Sequence, residues 1–589
     1  MSKKIIRRPQ VETSYLPESL PEAIKQIYAS RGMKSAQELE LNVARLQGMT
    51  EESSLMGIDG ACKLLHQALV NKTPIIIVGD FDADGATSTA LMMTALALFG
   101  SNHHDFIVPN RFEYGYGLTP EIVDIAASQQ AKMLITVDNG ISCIAGVKRA
   151  KELGMQVIVT DHHLPGQSLP NADAIVNPNQ HGCSFPSKAL AGVGVAFYLM
   201  LALRKYCRDQ NFFTENALAE PNIAQLLDLV ALGTVADVVS LDANNRILVA
   251  QGLKRIRAGQ TRPGIQALIE IANKNQQRLV ASDFGFALGP RINAAGRLDD
   301  MAYGINCLLA PDLSSARVMA AELDELNKAR REIEQGMQQE AERVLTSLNF
   351  DEQHLPSAIS LFQADWHQGV IGIVAGRLKE KFHRPCIVFA KAKEDDNDVD
   401  FAEIKGSARS IPGLHIRDLL EHIDSQNPGL ISKFGGHAMA AGLSIKEKDF
   451  KQFQTIFNEL ASKWLKKEDL DSVILSDGEL STQLLTLEFA EQLRESGPWG
   501  QNFPEPLFDD TFTIVQQRIV GEKHLKVVVQ KESEQGQQVF DGIAFNVDIK
   551  AWPNNQATKV HLAYRLDVNE FRGKRTVQLM VEDIQAVLQ

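Results

Sequence analysis

From about residue 73 to residue 180, short apolar runs alternate with segments of helical length and spacing. The runs at 75–78, 106–108, 133–137 and 157–160 read as strands, and the segments 86–99, 121–129 and 143–153 as helices. Strands alternating with helices of this size imply βαβ crossovers and a parallel sheet. The apolar segments 189–203 and 222–236 continue the region as buried helices.

Residues 312–348 read differently. Leu323, Leu326, Ile333, Met337, Ala341 and Val344 recur at helical spacing among Glu, Arg and Gln, with no proline. This predicts one long amphipathic helix, placed as a spacer between two α/β regions. The second such region covers about 349–469, opening on a strand near 358–362 and closing on a polar helix over 448–467. The acidic stretch 394–400 within it reads as a solvated loop. Beyond residue 470 the period changes to two. Val560, Leu562, Tyr564, Leu566 and Val568 alternate, as do Val577, Leu579 and Val581, and 525–529 is a further strand. Several short alternating strands in this space predict a small barrel.

A chain of 589 residues exceeds one hydrophobic core and predicts roughly three to four domains. With 44% apolar and 23% charged residues it is an ordinary globular composition. The net charge of −13 excludes a generic basic nucleic-acid coat protein, because there is no cation excess to bind phosphate non-specifically. Nucleic acid itself is not excluded, since clustered acidic metal ligands lower the charge while building a phosphate site. Six well-separated cysteines with no CxxC are expected to be reduced thiols. No apolar core follows the basic MSKKIIRRPQ, and 189–203 is too short to span a bilayer, so a cytoplasmic protein with no membrane contact is expected.

Four Asp-bearing segments end strands or apolar runs. GDFDADGATST carries Asp80, Asp82 and Asp84; ITVDNG carries Asp138; VTDHH carries Asp161, His162 and His163; GTVADVVSL carries Asp237. Any one of them alone is satisfied by a turn or a helix cap. Together they can converge, because ligands of open parallel sheets gather outside the carboxyl ends of the strands. Five of these carboxylates in one crevice would repel unless cations neutralise them. Two divalent ions nearly balance that charge, and oxygen ligands with a single imidazole favour Mn²⁺ or Mg²⁺. A pair of such ions is the usual device for phosphoester hydrolysis.

The Asp triplet, VDNG, DHH and GTVADVV, in this order, resemble the DHH phosphoesterase superfamily. NRFEYGYG, LGPRINAAGR, DWHQGVIGIVAGRL, GSARS and GGHAMAAG narrow the resemblance to its bacterial single-strand-specific exonucleases, over nearly the whole chain. The resemblance implies an N-terminal extension over 1–50, a DHH catalytic domain over 51–311, and the connecting helix over 312–348. A DHH-associated domain over 349–469 and an OB-fold domain over 470–589 would follow. It implies that Asp80, Asp82 and Asp138 bind one metal and that Asp84, Asp138, His162 and Asp237 bind the other. Asp161 would orient the ligand imidazole from behind, although a strand-end cap explains it equally well, and His163 would face the substrate phosphate. Arg111, Arg291, His367, Ser407, Arg409 and His437 become substrate contacts, with a structural salt bridge the other reading of Arg291. Phe112, Tyr114 and Tyr116 offer base-stacking surface or core packing.

The implied activity is 5′→3′ hydrolysis of single-stranded DNA to 5′-mononucleotides, in DNA repair and recombination. The implied enzyme is a monomer working with single-stranded-DNA-binding protein and a helicase. A phosphodiesterase for oligonucleotides or cyclic dinucleotides is the alternative, against which the terminal barrel argues. A non-catalytic scaffold would have lost metal ligands, and a plain strand-binding protein would need no carboxylate cluster.

Overall fold

The computed structural model describes residues 3–587 except 51–53, 111–113, 115, 348–354, 393–401, 534–535 and 572. Arg111, Phe112 and the acidic loop 394–400 therefore lie outside the described residues.

The first α/β region is built on five parallel strands. They lie in the order His104–Ile107, Ile75–Gly79, Met133–Val137, Gln156–Thr160, Ala174–Val176. The inner strands are apolar without alternation because helices cover both faces, whereas the edge strand His104–Ile107 is partly polar. Ile75, Ile77, Met133, Ile135, Val137 and Ile158 enter the large core, while Ile76, Val78, Leu134, Val157 and Val159 enter a smaller one on the opposite face. From Ile75–Gly79 the chain runs outward to His104–Ile107 and then returns past it to Met133–Val137. The strand order reverses there, which opens a crevice at the carboxyl ends of those two strands. Helix Ala83–Leu98 begins three residues before the pattern suggests, because Asp82 caps it. Helices Gly192–Asp209 and Leu227–Ala236 pack on it, which explains their nearly continuous apolar sequence.

The long helix runs from Leu313 to Ser347. Its first half puts Ala316, Ala320 and Leu323 into the large core. Its second half puts Met337 and Ala341 into a separate core beside helix Ile371–Phe382. It is thus part of both regions, not a bare spacer. The second region is a five-stranded mixed sheet in the order Lys433–Gly436, Ala440–Lys446, Glu403–Arg409, Cys386–Lys391, Ile359–Phe362. Strand Cys386–Lys391 is buried on both faces. Ile387 and Phe389 face helices Ile416–Gln426 and Phe450–Trp464, and Cys386, Val388 and Ala390 face helix Ile371–Phe382.

The alternating C-terminal sequence closes into a five-stranded barrel from Phe508–Val520, His524–Ser533, Gly536–Ala544, Lys559–Phe571 and Lys574–Val587. One pairing has no local signal at all. Strand Lys4–Arg7 runs parallel to Val473–Ser476 at the base of the barrel. Arg7 donates to both carboxylate oxygens of the buried Asp509 at 2.9 and 3.1 Å, which ties the first strand to the barrel.

Candidate active site

The carboxylates converge at the switch point. Asp80 directly follows strand Ile75–Gly79, Asp138 follows Met133–Val137, and Asp161 follows Gln156–Thr160. Asp237 arrives by another route, at the C-terminal end of helix Leu227–Ala236. Oxygens of Asp80, Asp82 and Asp138 lie within 4.8 Å of one another, as do ligand atoms of Asp84, His162 and Asp237. His162 Nε2 joins the two groups, 3.1 Å from Asp138 Oδ1 and 3.5 Å from Asp237 Oδ2.

Local backbone fixes each of these side chains. Asp82 accepts the N–H groups of Asp84 and Gly85 at 2.9 and 3.0 Å, closing the first turn of its helix. Asp138 adopts the left-handed conformation at φ 61°, a strained placement of the kind that concentrates at functional sites. Asp84 accepts the N–H groups of Gly192 and Val193 at 2.6 and 2.9 Å, so the positive end of helix Gly192–Asp209 faces the cluster. Gly192 has to be glycine here, since a Cβ would lie 2.6 Å from Asp138 Cβ. The sequence reading missed this contribution; its only signal is the GVG at the start of an apolar helix. Asn179 and Asn177 were also missed, and they hold the carbonyls of His162 and His163 at 2.6 and 2.9 Å.

The electrostatics are those of a crowded anionic site. Burial, with the charge of Asp82 adding to it, pushes Asp84 up to about 7, even against its two N–H donors. Burial and the neighbouring Asp84, Asp82 and Asp80 hold Asp237 well above the carboxylate range. Asp138 is raised in the same way, by burial first and then by its four carboxylate neighbours. Burial, and the charge of His163, hold His162 down at about 4, so its imidazole is neutral. Asp138 Oδ1, His162 Nε2 and Asp237 Oδ2 are buried with no hydrogen-bond partner among the described residues. Orphaned buried acceptors of this kind, oxygen-rich with one neutral imidazole, fit hard divalent cations.

Asp161 does not orient the ligand imidazole. Its Oδ1 lies 2.7 Å from His163 Nδ1 and accepts the N–H groups of His162 and His163, while Oδ2 accepts Ile141 N–H at 2.9 Å. Burial pulls the His163 pKa down, but the Asp161 hydrogen bond and the surrounding carboxylates outweigh it and bring it up to about 9. In the metal-free site this holds His163 in its cationic form, beside the metal-ligand candidates. Across the cleft its ring lies 6.4 Å from that of His437, nearly parallel at 17°. Tyr116 donates to the Asp138 carbonyl at 3.2 Å and touches His163 edge-on, whereas Tyr114 packs against the smaller core.

Of the two readings of Arg291, substrate contact and structural salt bridge, the structure supports the second. The residue is buried, with Nε donating to Asp324 Oδ1 of the long helix at 2.8 Å, so it fastens that helix. His367 sits in the turn before helix Ile371–Phe382 and accepts Gly369 N–H at 3.0 Å, while the Gly369 carbonyl accepts from Arg297 of the first region. Ser407 and Arg409 share one face of strand Glu403–Arg409, with the Arg409 guanidinium donating to Ser407 Oγ at 3.1 Å. The start of helix Ile371–Phe382 closes on them so tightly that a Cβ on Gly372 would lie 2.9 Å from Ser407 Oγ. Burial lowers the Arg409 pKa, and among the described residues no carboxylate pairs with it.

Residues 74–234 match the DHH family, N-terminal domain; residues 355–463 match the DHHA1 domain; residues 476–583 match the RecJ OB domain. The single-stranded-DNA-specific exonuclease RecJ of Salmonella typhimurium is 56% identical over 582 residues, covering 99% of each chain. The chain belongs to the RecJ family. RecJ of Escherichia coli is likewise 56% identical, over 98% of both chains. The crystal structure of RecJ from Thermus thermophilus in complex with Mn²⁺ superposes with a TM-score of 0.79 at 27% identity, over all of this chain and 80% of that one. A second structure of that RecJ is in complex with Mg²⁺. Parallel sheet, long helix, second α/β region and barrel are thus the RecJ architecture, as the sequence pattern implied. Among the described residues no helix is long and apolar enough to cross a membrane.

Proposed function

We propose that the chain is a metal-dependent exonuclease that degrades single-stranded DNA from its 5′ end and releases 5′-mononucleotides. The observation that carries this reading is the pair of adjoining ligand groups, Asp80–Asp82–Asp138 and Asp84–His162–Asp237, joined by the 3.1 Å approach of His162 to Asp138, with His163 beside them. Asp80, Asp82 and Asp138 would hold one Mn²⁺ or Mg²⁺, and Asp84, Asp138, His162 and Asp237 the other. When bound, the two ions supply the Lewis acidity that activates water and stabilises charge on phosphorus.

The chain's own residues do the rest. Helix Gly192–Asp209 keeps Asp84 aimed at the cluster through two N–H groups. His163, kept charged by Asp161, donates to a non-bridging phosphate oxygen, and its interaction strengthens as negative charge builds there. His437 offers a second donor from the opposite wall of the cleft. Arg409 and Ser407, facing the start of helix Ile371–Phe382 and without a paired carboxylate among the described residues, suit a terminal 5′-phosphate, which sets the direction of attack. A phosphate left on each shortened strand then serves as the next handle.

We further place the domain boundaries near residues 50, 311, 348 and 469, and the protein in the cytoplasm. As partners we propose single-stranded-DNA-binding protein and a helicase, which supply the substrate. The decisive assay is a strand labelled at its 5′ end, incubated with Mn²⁺ or Mg²⁺. Labelled mononucleotide should appear in the first turnovers and vanish with chelator. Release of label first from a 3′-labelled strand would overturn the polarity.

A further inference from the structure

Phe286 is 81% exposed while its neighbours Phe284, Ala287 and Leu288 are buried. A single exposed apolar side chain needs no explanation by itself. Phe286, however, sits in a π-helical turn, Phe284–Leu288, inserted between the helical residues Ala281–Asp283 and Gly289–Leu298. Such a turn carries an extra residue at some cost in hydrogen bonding, and it recurs at functional sites. The turn packs on the end of helix Leu227–Ala236, just before the metal-site residue Asp237. The next residue, Val238, is 62% exposed and held at φ 62°, where a β-branched side chain is strained.

The position of this segment in the fold gives the exposed ring a role. Arg278, upstream of the turn, forms an ion pair with Glu570 on barrel strand Lys559–Phe571. Downstream, Asn293 accepts the N–H of Ala83 in the Asp triplet loop at 2.7 Å, and Arg297 donates to Gly369 of the second region at 3.1 Å. One continuous stretch of chain therefore touches the barrel at one end and the metal-bearing loop at the other, with Phe286 exposed between them.

We propose that Phe286 stacks on a nucleobase of the single strand as it passes from the barrel to the metal cluster. The inference rests on the exonuclease reading and names a contact within it. Every base presents a π-face, so an aromatic ring grips the strand without choosing sequence, as an exonuclease that must read through any sequence requires. Val238 would extend the apolar lip toward Asp237.

The test uses the full chain with Phe286→Ala and Phe286→Trp. On a strand long enough to reach the barrel, F286A should raise KM on the order of ten-fold, the modest end of base–aromatic stacking, with kcat unchanged. On a 5′-phosphorylated dinucleotide it should behave as wild type, and F286W should restore KM on the long strand. A 2-aminopurine moved along the strand, with chelator present to stop turnover, should be quenched in one register by wild type and F286W but not by F286A. An unchanged KM on the long strand, or equal losses on long and short substrates, would overturn the proposal. So would a change of sedimentation in F286A without a change of KM, which would make the ring a self-association contact. If the wild-type protein releases no mononucleotide from any strand, the exonuclease reading fails, whereas a register-specific quench lost only in F286A would still establish the contact.

Discussion

Replacing Gly192 with alanine adds one methyl group at the tightest point of the site. That Cβ would lie 2.6 Å from both Cβ and Oδ1 of Asp138 and 2.8 Å from its Cγ. Non-bonded carbons rest at about 3.5–4.0 Å, so something must move by about 1 Å. The helix cannot yield easily, because Val193, Val195, Phe197 and Leu199 are all buried behind it. The displacement falls on Asp138, which is already held at a positive φ. Overpacking of this kind costs about 1–3 kcal/mol of stability, and a 1 Å misplacement of a reacting group about 100-fold in rate. If affinity for Mn²⁺ weakens ten-fold, stabilisation per ion at 100 times the wild-type Kd falls from about 2.7 to about 1.4 kcal/mol. Urea unfolding with and without Mn²⁺ measures this, and single-turnover cleavage of a single strand measures the rate. Gly336→Ala is the control, since nothing lies within 4 Å of its added methyl in the middle of the long helix. It should add about 0.5–1 kcal/mol of stability and leave the rate alone. Full Mn²⁺ stabilisation together with wild-type turnover in Gly192→Ala would refute the argument.

Four further expectations follow from the site. Asp84 is raised from 3.8 to about 7, so its contribution to the metal-free fold is fully present below pH 3.8 and is lost as pH rises through 7. Metal-free protein should lose stability to urea over that interval, and Asp84→Asn should flatten the profile. In Asp161→Asn the His163 pKa should fall from about 9 to 6.5 or below, as read by NMR titration of metal-free protein. The protonated fraction at pH 8 then drops by about 30-fold, and the single-turnover rate there should fall with it, much less so at pH 6; equal losses at both would contradict the role given to His163. Arg409→Ala should cost about 1.5–3 kcal/mol in kcat/KM on a 5′-phosphorylated strand and little on a 5′-hydroxyl one, while equal losses would place Arg409 elsewhere on the substrate. Arg291→Ala should lower stability by about 1.5–3 kcal/mol with KM unchanged, because it removes a charged hydrogen bond to the buried Asp324, which keeps Lys328 at 3.0 Å as its other partner; a raised KM with normal stability would restore it as a substrate contact.

Much of this architecture was legible because it rests on local period. The strands before Asp80, Asp138 and Asp161 are apolar runs, and the residue after each run is where the structure gathers its carboxylates. The strict alternation from Val560 to Val568 made the barrel equally plain. What escaped depends on partners distant in the chain. Arg291 reads equally as a substrate contact or a salt bridge until Asp324, on another helix, is brought against it. Asp161 next to His162 and His163 leaves open which ring it serves, and only the backbone turn, with three N–H groups on the carboxylate, decides for His163. The N–H groups of Gly192 and Val193 carry no side-chain signature, so their service to Asp84 could not be seen in an apolar helix. The parallel match of Lys4–Arg7 with Val473–Ser476 is too short, and too remote in sequence, for any window to find.

That last pairing has a consequence for how the molecule is made. The strand Lys4–Arg7 is synthesised more than 460 residues before its partner strand Val473–Ser476, and Asp509 follows later still. At roughly 5–20 residues per second, synthesis imposes a wait of about half a minute to a minute and a half. During that interval Ile5 and Ile6 are an unpaired edge, with Lys3, Lys4, Arg7 and Arg8 around them. Cations flanking an apolar edge are the arrangement that discourages edge-to-edge pairing, and here four of them flank the two isoleucines.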